Sequence, residues 1–351
     1  MGVEAAGPFG MATSVGPLPL DRVEDAVAFA VSAHGRFPTA PVLSGHHRSL
    51  LARAVHGLAG VEVLPPGLLR VERDRLPGPD EAERAAASLC GAPFDGLAAF
   101  LEALARGPAS APSGPHDGPV RVGLTGPVTL ALALRAAGVP VAQAAAVARA
   151  AVCGQAVAVL ALARRLLPSA TVVVVLSEPG LVGGMHPTFP LTRGETRSLL
   201  EPVVDALDRS PAARAGLIIG VHVPGRTDWA AVLASGVSMV SAPADAHLAG
   251  WARELSGFLD AGGWVAWGAV PVDQPLGSSE ERLWRRLSRV WGELSAAGVD
   301  PMLLRVRSMV SPADGLGHFG VPQACRVLDL TTALSVRLRR QTVSARMSLG
   351  A

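Results

Sequence analysis

The chain has 351 residues, 31 basic and 29 acidic, with a net charge of +2; it has no tyrosine, and every basic residue is an arginine. Apolar residues make up 49% and mean hydropathy is +0.36, which excludes an intrinsically disordered chain and leaves material for a large core. The arginines are scattered, with no basic stripe interleaved with aromatics, so nucleic acid is not an expected partner.

Cys90, Cys153 and Cys325 are odd in number, far apart and in no C-x-x-C pair, which argues against a disulfide framework and a thiolate-rich metal site. The first ten residues, MGVEAAGPFG, have neither a basic n-region nor an apolar h-region, so no export signal is read. The most membrane-like stretch, 128–167, is broken by Pro140 and by Arg135, Arg149, Arg164 and Arg165, and reads as a soluble Ala-rich helix pair. The expectation is a soluble cytoplasmic protein with no membrane partner.

Eight short apolar runs follow one another, each ending in Gly, Pro or a polar residue: 11–19, 40–45, 120–127, 171–180, 216–225, 237–244, 263–271 and 302–312. The fourth contains VVVVL, the unalternating pattern of a strand buried on both faces. Helical patterns lie between the runs. Residues 141–167 are Ala/Leu-rich and close on Arg-Arg-Leu-Leu-Pro. Residues 192–208 open with the capping-box pair Thr192 and Glu195. In 279–297, Leu283, Leu287, Val290, Trp291 and Leu294 form a helical stripe.

Eight strands alternating with helices predict the α/β class and a (β/α)8 TIM barrel, with residues 1–351 a single domain. A doubly wound open sheet is the alternative; no G-x-G-x-x-G follows the first run and no Walker A motif occurs. Residues 46–119, between strands two and three, are too long for one crossover helix and read as an insertion. Their tail, 106–119, reads as a Pro/Gly/Ser-rich surface loop.

A barrel of this kind carries its chemistry where the strands end. Ser14, Gly16 and Pro17 follow the first strand, Thr125 and Thr129 the third, Ser177 and Glu178 the fourth, His222 the fifth and Ser241 the sixth. Asp273 follows the seventh, and Ser308, Ser311 and Asp314 belong to the eighth.

A-T-S-V-G-P-L-P at 12–19, G-P-V-T at 126–129, S-E-P-G-L at 177–181, the His222 strand and S-P-A-D-G-L-G at 311–317 stand in the order and rough spacing of one family. The chain resembles the catalytic C-terminal barrel of cobalamin-independent methionine synthase, and its single-barrel actinobacterial versions, in a superfamily that includes uroporphyrinogen decarboxylase. The resemblance covers most of the chain and is weakest at 46–119.

The resemblance implies methyl transfer from a folate to the homocysteine thiol, with zinc held by His-x-Cys, Glu and Cys so that the thiolate is the nucleophile. His222 matches the first ligand. Pro224 stands where Cys is wanted, Ala242 near the Glu position and Asp314 at the final Cys. Zinc is therefore not expected, no cofactor is fixed, and a folate stays compatible. The family's Asp-Glu-Pro is Ser177-Glu178-Pro179 here, so one carboxylate of the ammonium site is gone. Gly16-Pro17 replaces Gly-Ser, which removes a backbone donor.

Metal and substrate positions have thus changed together, which points to a diverged enzyme that acts on a small-molecule substrate by group transfer or lyase chemistry. His222 is either a general base or a remaining metal ligand, or a strand-end histidine satisfied by a neighbour. Glu178 either binds a cation or acts as acid or base, or closes a buried salt bridge. Asp314 either orients His222 across the mouth or is a loop residue before Gly315. Ser14, Gly16, Thr129, Ser177, Asp273 and Ser311 complete the candidate substrate site.

A catalytically silent barrel that serves as a binding partner is the reading from a different class. Zinc-dependent methyl transfer would return if the metal site were rebuilt. A metal-free decarboxylase would use Arg305 and Arg307, placed on one face of strand eight by alternation. His186, in the Gly/Pro-rich loop after strand four, and His318 are the remaining loop histidines considered, and the adjacent His46 and His47 point apart.

Overall fold

The computed structural model describes residues 7–65, 67–107, 114–274 and 279–348. A short antiparallel hairpin pairs β1 (Val61–Leu64) with β2 (Leu68–Val71). The main sheet is parallel and curled, half of a barrel. It runs in sequence order through β3 (Val120–Thr125), β4 (Val172–Ser177), β5 (Leu217–His222), β6 (Met239–Pro243), β7 (Trp264–Val270) and β8 (Ser308–Pro312).

The helices are α1 (Val23–Ala33), α2 (Leu50–Ala54), α3 (Pro79–Ala86), α4 (Asp95–Arg106), α5 (Pro127–Ala136), α6 (Val141–Leu166), α7 (Arg193–Asp208), α8 (Trp229–Leu233), α9 (Ala252–Asp260), α10 (Glu280–Ala296), α11 (Leu303–Val306) and α12 (Val321–Ser348).

Alternation along the strands sorts the side chains into two cores. Val120, Val122, Leu124, Val172, Val174 and Leu176 join the helices in the outer core. Val173, Val175, Ile218, Met239, Trp264, Ala266 and Met309 fill the concave side together with Phe37. The VVVVL run therefore feeds both, as its unbroken hydrophobicity requires.

The expected helices at 141–167, 192–208 and 279–297 form as α6, α7 and α10, and the capping box is made in both directions between Thr192 and Glu195. Helix α6 is long and apolar enough to cross a membrane, but 56% of its most apolar window is buried against its neighbours here. It packs between α3 and α7 and against α5.

Three expectations are corrected. Runs 11–19 and 40–45 do not form regular strands. They make isolated parallel bridges, Ala12 to Val310, Pro17 to Val42 and Thr39 to Arg121. Pro17, Pro19 and Pro41 remove ladder donors, and Gly16 turns the chain at φ +63°, so neither segment can sustain a ladder. The last run begins as helix, not strand: Asp300 accepts from the Met302 amide at 2.6 Å and starts α11. Arg305 therefore lies on that helical turn beside the Trp291 ring, and Arg307 lies before β8 over the Trp264 ring, so the two do not form a gripping pair on strand eight.

Residues 46–119 carry α2, the hairpin, α3 and α4. Helix α3 lies against α6, α4 against α1, and α2 against β3. In the expected loop at 106–119, Arg106 ends α4, and residues 108–113 fall outside the described residues.

Candidate functional site

Parallel pairing puts Thr125, Ser177, His222 and Ser241 in one row across β3 to β6, at the C-terminal ends of the strands. His222 is 1% exposed. Its Nδ1 lies 3.0 Å from the Ser241 hydroxyl, and its Nε2 lies 3.6 Å from Oδ1 of Asp314, in the loop after β8. That second separation is longer than a hydrogen bond, and Nε2 has no hydrogen-bond partner among the described residues.

Burial pushes the His222 pKa below 6.5, and the neighbouring Asp314 only partly opposes it. Burial also works against ionisation of Asp314, but His222, the Gly315 amide and His318 outweigh it and hold the carboxyl below the usual range. Near neutrality the pair is thus a neutral imidazole facing a carboxylate. The coherent tautomer has Ser241 donating to Nδ1 and the ring proton on Nε2, directed at Asp314.

Asp314 is half exposed, its side chain 49% accessible. It borders a pocket of about 290 Å³ whose rim includes Gly225, Arg226, Asp245, Asp273 and Arg286. Arg286 pairs with Asp245 at 2.5 Å. Gly16 approaches from the other side: a Cβ there would lie 2.8 Å from the Gly315 Cα, so the φ +63° glycine lets the 12–19 segment close on the Asp314 loop. A larger cavity, about 560 Å³, opens among Leu233, Ser238, Phe258 and Gly263, at the N-terminal ends of β6 and β7 and remote from the polar row.

Glu178 takes a different place. It is fully buried, and its carboxylate accepts from the Val128 amide at 2.9 Å, the Thr129 amide at 2.7 Å and the Thr129 hydroxyl at 2.6 Å. These are the first donors of α5, so the group sits on a helix N-terminus. Burial raises its pKa to about 7 against the pull of those three donors. Thr129 in turn accepts from the Gly180 amide at 3.0 Å.

Among the remaining sequence-derived site residues, Asp273 lines the mouth pocket. Ser177 faces a smaller inner cavity together with His222. Ser311 is fully buried, and its hydroxyl has no partner among the described residues. Ser14 borders a crevice of about 10 Å³ beneath α1, and its amide donates to Thr39 at 3.1 Å. The structure thus brings Asp314 and Asp273 to the mouth, sets His222 behind Asp314 on the inner cavity, and leaves Glu178, Thr129 and Ser14 out of the mouth lining.

The loop at 182–190 does not fill the mouth. Val182 lies against Gly225, the Gly183 amide donates to the Arg226 carbonyl at 2.8 Å, and His186 is exposed and bonded to Thr188 at 2.8 Å. Arg226, Asp245 and Arg286 were not singled out in the sequence, where they lie in polar loops and on a helix face with no distinguishing pattern.

At the positions that the resemblance assigns to zinc, Pro224 and Ala242 have no donor side chain. His222 and Asp314 are the two donors present, and Nδ1 of the ring is held by Ser241. No cluster of three His, Cys, Asp or Glu side chains suited to a metal occurs among the described residues. This donor set does not fit the four-coordinate zinc of the family. The three cysteines are free, and burial raises the Cys153 thiol to about 11.

No protein-family model matches the chain, and no curated protein sequence does. Among solved structures it is similar to a B12-independent methionine synthase from a Shewanella species, determined in complex with selenomethionine. That similarity has 12% identity and a TM-score of 0.57, and covers 96% of this chain and 99% of the other. A termite-gut GH10 xylanase with a bacterial Ig-like domain aligns over 96% of this chain and 77% of its own, at 9% identity and a TM-score of 0.33. At such identities the first likeness establishes a methionine-synthase-like fold.

Proposed function

We propose that the protein is a diverged methionine-synthase-like barrel enzyme that works without the family zinc site. In this reading it acts on a small organic molecule by group transfer or lyase chemistry. The bridged segments around Ala12 and Thr39 serve as the irregular first and second strands of an eight-stranded ring, and residues 46–119 are an insertion within one domain.

The observation that carries the proposal is the Asp314–His222–Ser241 alignment, of which Asp314 lines the mouth pocket. Asp314 is the member that reaches the pocket, so it is the catalytic residue, taking the substrate proton as its carboxylate. His222 is too buried to touch substrate and is a positioning residue. Its Nε2 proton steadies the carboxylate, and Ser241 fixes the tautomer. Arg226 and Arg286 offer charge to an anionic group, and Asp273 to an amine. A folate remains compatible with this mouth; nothing in the residue set requires one.

Calorimetry with homocysteine and methyl-folate, with metal content measured on the same preparation, tests the proposal. Protein with no stoichiometric zinc and no homocysteine binding agrees with it. Stoichiometric zinc together with homocysteine binding would overturn it and return the family's methyl transfer. For any turnover found in a substrate screen, Asp314→Asn is expected to lower kcat at least 100-fold, in line with the loss of an acid or base. Unchanged kcat removes Asp314 from the chemistry.

A further inference from the structure

Arg121 is the second residue of β3 and shares the inward parity of Gly123 and Thr125. It is 2% exposed. Its Nη1 has no partner among the described residues, and burial alone shifts it, with no carboxylate near enough to oppose the effect. Even so its pKa falls only to about 9, so the guanidinium is charged at neutral pH.

Arg53 shows the usual solution to the same problem. It is equally buried and its Nη1 is likewise without a partner among the described residues, but its Nε donates to the Pro93 carbonyl at 2.7 Å and its Nη2 to the Pro41 carbonyl at 3.0 Å. A buried charge without a counter-charge or acceptors costs several kcal/mol, roughly, even after relaxation. Among the described residues nothing accepts from the Arg121 Nη1, so this end of the charge is left for an outside partner.

The space beside it can hold one. Arg121, Gly123, Ser177, His222 and Gly16 border an inner cavity of about 20 Å³. That is room for one or two waters, since about 10–15 Å³ suffices for one. It is too small for an organic substrate and suits a single spherical ion. Gly123 adds to the space: a Cβ placed there meets nothing within 4 Å.

We propose that this cavity is a binding site for a small monovalent inorganic anion of chloride size, held by the Arg121 guanidinium beneath the His222 ring. The site is separate from the mouth pocket and stands whether or not the proposed chemistry does. The anion neutralises a charge buried in the concave core, so it acts as a structural counter-ion. By screening Arg121 it also relieves the cation's pressure on the imidazole.

The test is a thermal unfolding series at constant ionic strength in which gluconate is exchanged for chloride, with bromide used in crystals for anomalous scattering. The expected result is a saturable rise in Tm with chloride and a bromide peak beside Arg121. Gly123→Ala fills part of the cavity without a clash. It is expected to fold, to lose the chloride response and to lose the bromide peak. Arg121→Met should unfold at a chloride-independent temperature. A wild-type Tm indifferent to chloride, or bromide absent from the cavity, overturns the proposal. So does a Gly123→Ala protein that keeps the full response.

Discussion

The carboxyl group of Glu178 occupies the space into which a Cβ on Gly126 would project, with Oε1 only 2.1 Å from that position. Gly126 has an ordinary φ of −81°, so the glycine is required by this approach and not by backbone conformation. Gly126→Ala must push the carboxylate off the amides of Val128 and Thr129 and leave buried donors and a buried acid unpaired. A loss of about 1–3 kcal/mol is expected from overpacking alone. Urea unfolding of Gly126→Ala beside Gly123→Ala in chloride-free buffer checks it, because the second change meets open space and, with no anion to displace, should be close to neutral.

The same carboxylate sets a pH dependence of unusual sign. Its folded pKa, about 7, lies above the ordinary 4.5, so the folded chain holds this proton more tightly than the unfolded chain. The contribution of Glu178 is therefore greatest at low pH and declines as pH rises from 4.5 through about 7. Glu178→Gln should flatten that decline. At neutral pH it also turns an amide NH2 toward the α5 donors, a mismatch worth about 1–3 kcal/mol. Tm measured between pH 5 and 8, roughly that range, separates the two effects: parallel wild-type and variant curves would show that Glu178 does not titrate there.

How far the site could be read from the chain follows from these residues. Strands β3 to β8 were legible because each is an apolar run closed by Gly, Pro or a polar residue, and α7 because its capping box is local. The facing of His222 and Asp314 was one of two readings open in the sequence, because strand order sets both at strand ends but does not say where the loop after β8 carries its Asp. The role of Glu178 was not, because nothing local says which helix N-terminus comes to lie over a strand end. Arg121 was hidden for a different reason. Its inward parity with Gly123 and Thr125 is visible in V-R-V-G-L-T, but that its guanidinium lacks a partner depends on every other strand. The first two runs failed as strands because their prolines leave enough apolar character to look like strands and too few donors to pair as them.

Removing Asp314 should change the acid limb of the stability profile in two opposed ways: it deepens the part set by His222 and deletes the part set by the lowered pKa of Asp314 itself, so the His222 pKa is the readout that isolates the coupling. His222 is held below 6.5 by burial, so the unfolded chain binds its proton more readily and stability falls as pH drops below 6.5. His34, lowered by burial to about 4, adds to the same limb. Asp314 opposes the His222 shift, so in Asp314→Asn the His222 pKa should move further down. Imidazole proton NMR titration reads this directly. An unmoved or raised His222 pKa in the variant means that the 3.6 Å approach does not couple the two groups.

The docking of residues 46–119 onto the rest of the chain rests on another glycine, and here two effects of opposite sign compete. Gly154 lies inside α6, where Gly→Ala on helix propensity alone should stabilise by about 1 kcal/mol. A Cβ at that position, however, would stand 2.1 Å from the carbonyl oxygen of Glu83 in α3. That atom is backbone and cannot swing aside, so α3 must lift off α6 as a unit. The steric cost, about 1–3 kcal/mol or more, should win. Gly154→Ala is thus expected to lower the urea midpoint and to expose residues 79–106 to limited proteolysis before the sheet unfolds. A raised midpoint with unchanged cleavage would mean that α3 is not seated on α6 at this distance.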